Sequence, residues 1–388
     1  MRNLFLFLCL AYIGCKKSDV SSTTSTQNTD TPCIHGYSVG PTEIIEGQYI
    51  VAYNSGAVSP STPDNQISSF GKSVLVRHQI KSSSLLRSFP GKQGGFIARL
   101  SKEELSRLQN DAAVSMIEPD RIIALGTTCF TVVAPWLITW NINTVGYGNG
   151  IGKVAWVIDS GIDFNNNELT VDTSRSRSFI DSLPSATDEN GHGTHVAGII
   201  GAKNNSFGVL GVASGATLVS LRVLDKDGIG TLSAIIEALA YVSTNAKAGD
   251  AVNLSLGEDG ISDILDQQVK AIAAKGIFIS IAAGNNSTQA DKYSPARVNA
   301  TNVYTVSAID STGKFANFSN YGKDVVDYAA PGVRILSTYL NNKYAIMSGT
   351  SMAAPHVTGL LLLKGNNITS SGTLVNDPDG NPVAIAHY

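Results

Sequence analysis

The sequence has little charge and no surplus of positive charge. Only 15% of its 388 residues are charged, and 28 Lys and Arg stand against 31 Asp and Glu. Nucleic-acid binding depends on basic surfaces that neutralise phosphates, so this balance argues against a nucleic-acid partner. Hydrophobic residues make up 43% of the chain, which is ample for a core and excludes disorder of the whole chain.

Apolar runs long enough to span a membrane are also missing. Residues 4–14 form an apolar run of 11 residues, shorter than the ~20 residues that a membrane-spanning helix needs. Because a basic residue precedes this run, we predict a signal peptide over residues 1–14 and therefore an exported protein. Nine Ser and Thr lie between residues 18 and 31, so residues 15–42 are predicted to be a spacer that buries too little surface to fold.

Cysteine is scarce, with four in the chain. Cys9 lies in the predicted signal. The segment around Cys15 resembles the lipobox of bacterial lipoproteins, although Tyr12 stands where a lipobox usually has Leu. That resemblance implies lipidation of Cys15, a cell-envelope lipoprotein and membrane contact only through the lipid; the alternative is an ordinary secreted protein. The remaining Cys33 and Cys129 either form one disulfide or stay as two separate thiols.

Residues 43–126 have the pattern of a small α+β unit. Ser101 and Glu104 form a capping box, which predicts a helix that begins after Ser101. Apolar residues favour strands over residues 48–53, 94–100 and 114–120. A helix packed on such a sheet just before its last strand indicates a ferredoxin-like unit.

From about residue 127 onward, short apolar runs alternate with helical stretches. The predicted strands are residues 153–158, 217–223, 251–256 and 276–282. The predicted helices are residues 192–202, 232–246 and 261–274. This alternation predicts an α/β fold, with a parallel sheet covered by helices on both faces. In such sheets, ligands bind at the carboxyl ends of the strands.

Polar residues stand at the ends of three of these apolar elements. Asp159 follows a predicted strand, His192 begins a predicted helix, and Ser351 precedes another helical stretch. Taken singly, Asp159 is a turn former or helix cap and Ser351 is a helix cap. A helix N-terminus also offers N–H groups to a developing oxyanion, as an acyl-transfer nucleophile requires. His192 and His195 have no third ligand at zinc-site spacing, so we do not expect zinc.

Three segments carry a resemblance to a known family. They are Val157-Ile-Asp-Ser-Gly161, His192-Gly-Thr-His-Val-Ala-Gly198 and Gly349-Thr-Ser-Met-Ala-Ala-Pro-His-Val357. They resemble the signature motifs of the subtilase family of serine peptidases, in the chain order Asp, His, Ser. Residues 282–296 are similar to the proteinase K branch. The small unit, which ends in Ile117-Glu-Pro-Asp120, looks like the family's inhibitor-type propeptide.

The resemblance implies an endopeptidase that works through an acyl-enzyme. Ser351 is then the nucleophile, His192 the general base and Asp159 the residue that orients the imidazole. Asn285 and the Ser351 backbone N–H would bind the oxyanion. No cofactor is needed for this chemistry. The implied organisation is a signal at 1–14, a spacer at 15–42, an inhibitory propeptide at 43–126 and a peptidase domain at 127–388.

The resemblance also implies a cleft in which a peptide binds as an added strand. The residues implied in substrate binding are Gly228, Gly230, Ser255, Leu256, Gly257, Ala283 and Gly284. These walls carry no acidic residue, which favours broad specificity with an apolar or aromatic preference. Glu258, beside them, either tolerates a basic substrate residue or faces solvent. The propeptide would inhibit its own enzyme until autocleavage within residues 125–130.

The resemblance extends to structural calcium, for which Asp327 is the candidate ligand. Residues 376–382 contain a DxDG string that lacks the distal Glu of a calcium loop, so a hairpin turn is the better interpretation. We expect a monomer that acts on proteins and peptides. A catalytically dead binding module and a purely structural lipoprotein are the alternatives. Neither needs Asp159, His192, Asn285 and Ser351 together.

Overall fold

The computed structural model describes residues 33–34, 43–59, 62–125, 128–129, 131–132, 138–257, 260–380 and 383–388. These residues lie in one compact unit, residues 32–388. The predicted signal peptide, Cys15 and most of the predicted spacer lie outside the described residues, as does Glu258. Within the described ranges, no helix combines the length and the apolar character needed to cross a bilayer.

The small unit, residues 43–125, forms an antiparallel sheet with two helices. Up to the end of this unit, the elements are β1 (Cys33–Ile34), β2 (Ile44–Tyr53), α1 (Asp64–Arg77), β3 (Leu85–Phe89), β4 (Gly95–Arg99), α2 (Lys102–Leu108) and β5 (Val114–Ala124). The strand order β5-β2-β4-β3 confirms the ferredoxin-like prediction. The capping box is also present, because the Ser101 hydroxyl accepts from the Glu104 N–H and the Glu104 carboxylate accepts from the Ser101 N–H.

Helix α1 and strand β3 of the small unit were not predicted from the sequence. Helix α1 has an apolar stripe, in which Ile67, Val74 and Leu75 are buried. The polar residues at its start interrupt the apolar pattern that would have predicted a helix. Gly71 lies on the same stripe, and a Cβ there would come within 2.7 Å of the Leu85 side chain. A close approach of helix to sheet, which only the fold reveals, therefore explains this glycine.

The large unit, residues 138–388, is built on a mainly parallel sheet. After β6 (Thr128–Cys129) and β7 (Thr131–Val132), its elements are α3 (Trp140–Val145), β8 (Gly148–Asn149), β9 (Val154–Asp159), β10 (Thr170–Val171), β11 (Arg177–Ser178), α4 (His192–Gly201), β12 (Ala213–Ser214), β13 (Thr217–Arg222), β14 (Ile229–Thr231), α5 (Leu232–Asn245), β15 (Ala251–Leu254), α6 (Asp263–Ala273), β16 (Phe278–Ala282), β17 (Val303–Ile309), β18 (Val326–Pro331), β19 (Ile335–Tyr339), β20 (Lys343–Met347), α7 (Thr350–Lys364), β21 (Thr369–Thr373) and β22 (Ala384–His387). The order along the sheet is β10-β13-β9-β15-β16-β17-β18-β22-β21, with β11 also on β13. All of the predicted strands and helices of this part are present.

Helices cover both faces of this sheet, as predicted. Helices α5 and α6 pack on one face, and α4 and α7 pack on the other. The central strand β9 is buried along almost its whole length because it has helices above and below. This three-layer arrangement of helices, sheet and helices brings the carboxyl end of β9 and the N-terminal ends of α4 and α7 to the same edge of the sheet.

The C-terminal segment forms a hairpin beside β18, at one end of the strand order of the sheet. Strand β21 pairs antiparallel with β22, and β22 lies parallel to β18. The segment between them contains the turn at residues 377–380, which agrees with the hairpin interpretation of residues 376–382. Residues 381 and 382 lie outside the described ranges.

Candidate active site

Asp159 and His192 meet in the interior of the large unit. Asp159 is the last residue of β9 and His192 is the first of α4, and the two side chains are 0% and 3% exposed. The Nδ1 of His192 lies 2.8 Å from Oδ1 of Asp159. Because a carboxylate accepts, Nδ1 carries the proton and Nε2 is left as the atom able to accept one.

A second carboxylate, Asp188, ties these two residues together. It accepts hydrogen bonds from the Ser160 hydroxyl at 2.9 Å and from the Gly191 N–H at 3.0 Å. It also accepts from both the N–H and the hydroxyl of Thr194, in the first turn of α4. Ser160 directly follows Asp159, and the Ser160 hydroxyl also accepts a hydrogen bond from the Gly193 N–H at 3.0 Å. This network therefore joins the end of β9 to the start of α4.

The electrostatic surroundings raise the pKa of His192. Burial by itself lowers this pKa, but the nearby carboxylates of Asp159 and Asp188 favour the imidazolium and outweigh burial. His195 differs, because burial lowers its pKa to about 3. Its Nε2 lies 3.0 Å from the carbonyls of Ile335 and Ala345, which makes Nε2 a donor to backbone oxygens.

Ser351 lies in the first turn of α7, at the N-terminal end predicted for it. Its hydroxyl donates to the Ser255 carbonyl at 3.1 Å, while the Ser255 hydroxyl donates to the Ser351 carbonyl at 2.8 Å. The hydroxyl makes no hydrogen bond to His192 in this geometry. Such bonds are often long in enzymes without bound substrate and shorten in the reacting complex.

Asn285 lies three residues beyond the end of β16 and faces the start of α7. Its Oδ1 accepts from the Thr350 N–H at 2.9 Å and lies 3.0 Å from the Thr350 hydroxyl. A backbone N–H can only donate, so the atom facing Thr350 is the oxygen and the side-chain NH2 is left to point elsewhere. The Thr350 hydroxyl also accepts the Gly284 N–H at 3.1 Å, which fixes the loop that carries Asn285.

A strand of the chain itself occupies the predicted substrate edge. Strand β5 of the small unit pairs antiparallel with β14, with Ile123 opposite Gly230. Leu125 then donates its N–H to the Gly228 carbonyl at 2.9 Å. Gly228 has a φ of +77°, and a Cβ there would lie 3.1 Å from the Leu125 side chain, so glycine allows this approach.

The remaining predicted cleft residues line one cavity. It has a volume of about 200 Å³, and Leu125 lines it together with Ala124 at the end of β5. The predicted residues that line it are Ser255, Leu256, Gly257, Ala283, Gly284, Asn285 and Ser351. The structure thus brings the predicted nucleophile, oxyanion residue and pocket walls together around the end of the small unit.

Asp327 lies on β18, away from this cavity. Its Oδ2 accepts the Thr305 N–H at 2.8 Å. Although part of the side chain remains exposed, the surrounding protein raises the pKa of Asp327 to about 6 by desolvation. No Lys or Arg of the described chain forms an ion pair with it, and the described residues contain no cluster of three or more His, Cys, Asp or Glu suited to a metal.

Asp188 and Thr350 are the contributors that sequence reasoning missed. Both stand inside or beside the quoted motifs, Asp188 four residues before His192 and Thr350 directly before Ser351. Neighbouring polar residues in a motif are a usable signal, but Ser160, which Asp188 bonds, and Asn285, which Thr350 bonds, lie far away in sequence. Only the fold shows which atoms they hold.

Comparison with known families and proteins agrees with the geometry. The model described as "Subtilase family" matches residues 102–371, and the model described as "Peptidase inhibitor I9" matches residues 48–125. The chain is 41% identical to the thermostable alkaline protease of Halalkalibacterium halodurans over 272 residues, which are 69% of this chain and 71% of that one. It is 36% identical to the extracellular serine proteinase of a Thermus species over 348 residues, with 83% and 80% covered.

A solved structure described as a cold adapted subtilisin-like serine proteinase has the same fold. It superposes with a TM-score of 0.56 at 30% identity, and the match covers 65% of this chain and 98% of that chain. The family model matches well over half of the present chain. The chain therefore belongs to the subtilase family, as a subtilisin-like serine protease with an inhibitor-type propeptide.

Proposed function

We propose that this serine protease cleaves peptide bonds through Asp159, His192 and Ser351. The observation that carries the proposal is the buried 2.8 Å contact between His192 and Asp159, at the edge of the sheet where the first turn of α7 carries Ser351. Ser351 Oγ attacks the scissile carbonyl carbon while His192 Nε2 takes its proton, and the imidazolium then protonates the leaving amine. Water then attacks the acyl-enzyme while His192 takes a proton from it. The imidazolium returns that proton to Ser351 Oγ as the acid product leaves.

The oxyanion of each tetrahedral intermediate is bound by the Asn285 side-chain NH2 and the Ser351 N–H. The contacts between Asn285 Oδ1 and Thr350 support this role, because they hold the side chain at the start of α7 through its oxygen and leave the NH2 group as the donor. The positive end of the helix dipole of α7 favours the same charge. These donors stay in place during the reaction and need no reorganisation.

The small unit acts as the inhibitor of its own protease. Strand β5 fills the substrate edge, and two of its carboxylates cap helices of the large unit. Glu118 accepts from the Ser262 hydroxyl and the Ile264 N–H at the start of α6. Asp120 accepts from the Ser233 N–H at the start of α5. Within the expected range of 125–130, autocleavage between Leu125 and Thr128 is favoured, because Leu125 lines the same cavity as Asn285 and Ser351.

The cleft favours substrates with apolar side chains and selects weakly among them. Most of its walls, Leu256, Ala283 and Gly284 among them, are small or apolar, and the contacts along β14 are to the peptide backbone. The likeness of residues 282–296 to the proteinase K branch belongs to the same proposal. We also propose that residues 1–14 direct export, that a lipid on Cys15 anchors the protein and that the enzyme is a monomer. The extracellular relative from Thermus supports export.

The test uses the exported full chain as wild type, Ser351→Ala and Ser370→Ala. Ser370 is an exposed serine of β21 and serves as the matched control. We expect the wild type and Ser370→Ala to hydrolyse casein and to acquire a new N-terminus between residues 126 and 128. Ser351→Ala is expected to stay uncleaved and inactive. Equal casein hydrolysis or equal processing by Ser351→Ala would overturn the assignment.

A further inference from the structure

Cys33 and Cys129 are register partners in a short antiparallel strand pair. Strand β1 pairs with β6, and the register sets Cys33 directly opposite Cys129 and Ile34 opposite Thr128. Residues 33 and 129 stand on either side of the propeptide in sequence. The chain has only two other cysteines, Cys9 in the predicted signal and Cys15 at the predicted lipid site.

This register meets the geometric requirement of a disulfide. Residues directly opposite one another in an antiparallel pair have Cα atoms about 4.5 to 5.5 Å apart. Disulfides join residues whose Cα atoms are about 4.4 to 6.8 Å apart. An exported chain reaches an oxidising compartment, in which a disulfide between two such residues persists.

The segment that carries Cys129 is held to the large unit by the strand that follows it. Strand β7 pairs antiparallel with β20, with Thr131 opposite Ile346. On the other side, Leu125 ends the propeptide at the catalytic cavity. A bond at Cys129 therefore lies on the protease side of the proposed cleavage site, and Cys33 lies on the propeptide side.

We propose that Cys33 and Cys129 form a disulfide that keeps the N-terminal segment attached to the protease after cleavage. The two thiols each lose a proton and together lose two electrons to a protein or small-molecule disulfide, which is reduced to two thiols as the S–S bond forms. This inference rests on the proposed cleavage between Leu125 and Thr128. Its consequences are retention of the cleaved propeptide and, where Cys15 is lipidated, retention of the enzyme at the membrane.

Tethering changes the inhibition from a bimolecular to an intramolecular equilibrium. A linked inhibitor has an effective concentration of about millimolar, so dilution does not remove it from the cleft. Release then requires reduction of the disulfide or a second cut between residues 33 and 125. The disulfide thereby makes activation depend on the redox state or on further proteolysis.

The first experiment tests the disulfide without any need for cleavage. The exported Ser351→Ala chain is digested under non-reducing conditions and its peptides are weighed. We expect the peptides containing Cys33 and Cys129 to travel as one species, lighter than the two thiol peptides together by the pair of hydrogens lost. Finding both cysteines as free thiols would overturn the proposal, whatever the outcome for autocleavage.

The second experiment follows the active chain and compares it with Cys33→Ser and Cys33→Ala. We expect the cleaved wild type to run as one species on a non-reducing gel and as two fragments after reduction, while both variants give two fragments on either gel. On dilution the variants should gain about 10²-fold in activity, and the wild type only after a reductant is added. Fragments that separate without reductant in the wild type would overturn the proposal. An uncleaved wild type would instead refute the autocleavage.

Discussion

Two residues beside the predicted triad form hydrogen bonds to groups that adjoin it. Thr350 bonds the oxygen of Asn285 and the N–H of Gly284, and Asp188 bonds Ser160 and the first turn of α4. Neither side chain is an obvious participant in bond making. Each fixes a group whose misplacement by about 1 Å can cost 10²-fold in rate.

Replacing Thr350 tests the orientation of Asn285. Thr350→Val removes the hydroxyl that contacts Asn285 Oδ1 and keeps the side-chain shape, so we expect kcat to fall about tenfold with KM nearly unchanged. The full loss of one oxyanion donor costs about 10²–10³ in kcat, which sets the upper bound. Thr350→Ser keeps the hydroxyl and should retain most of the activity. A Thr350→Val enzyme with unchanged kcat would exclude this contribution.

Replacing Asp188 tests the charge that surrounds His192. The base must be neutral, so activity disappears as pH falls through the pKa of His192, which Asp159 and Asp188 both raise. Asp188→Asn removes one negative charge, so we expect the acid limb of the kcat/KM profile to move to lower pH, together with a reduced kcat. Asp310→Asn, in a loop after β17, is the control and should leave the limb in place. A lower kcat with an unmoved limb would mean that Asp188 has a structural role only.

At the scale of elements, the site depends on where strands and helices end. Strand β9 ends at Asp159, α4 begins at His192, and α7 begins with Thr350. The pairing of β17 with β18 brings Asp327 to the Thr305 N–H at a position outside the cleft. A carboxylate that pairs with no Lys or Arg of the described chain fits a hard cation such as calcium, which also takes backbone carbonyls and waters.

Calcium removal tests Asp327. We expect a chelator to lower the melting temperature of the wild type, because a cation bound only by the folded state stabilises it by mass action. Asp327→Asn should have a lower melting temperature in calcium and respond less to the chelator. Asp324→Asn, two residues before β18, is the control. A chelator response of equal size in Asp327→Asn would remove this residue from any calcium site.

At the scale of the whole molecule, the interface between the small and large units contains charged side chains that form ion pairs. Arg87 of β3 lies between Glu237 of α5 and Asp181, at 2.9 Å from each. Burial raises the pKa of Glu237 to about 7, an effect that the Arg87 charge reduces and that Asp181 and Asp120 increase. Departure of the propeptide would return Glu237 to water and its pKa toward the ordinary 4.5.

Propeptide binding should therefore weaken as pH rises. Between about 4.5 and 7 the bound form keeps a proton that the free form releases, so a higher pH favours dissociation. We expect the fraction of cleaved propeptide that stays bound, measured by gel filtration under reducing conditions, to fall from pH 5 to pH 8. Glu237→Gln should flatten this dependence, whereas Glu189→Gln, an exposed carboxyl paired with Arg222, should not. An unchanged pH dependence in Glu237→Gln would contradict the argument.

Local pattern and motif by themselves determined much of this protein. The apolar runs predicted the strands of the parallel sheet, because a strand buried on both faces must be apolar throughout. The motifs around Asp159, His192 and Ser351 indicated the family, since their residue types and order are local features of the sequence. The capping box at Ser101 and Glu104 is equally local, and it was predicted for the same reason.

Only the tertiary structure decided what depends on distant partners. Helix α1 is stabilised by a sheet that its own sequence does not reveal, and the roles of Asp188 and Thr350 come from bonds across elements. The occupation of the cleft by β5 and the register of Cys33 with Cys129 are likewise pairings between segments far apart in sequence. Sequence patterns report what each segment needs to bury or bond, and the fold decides which partner meets that need.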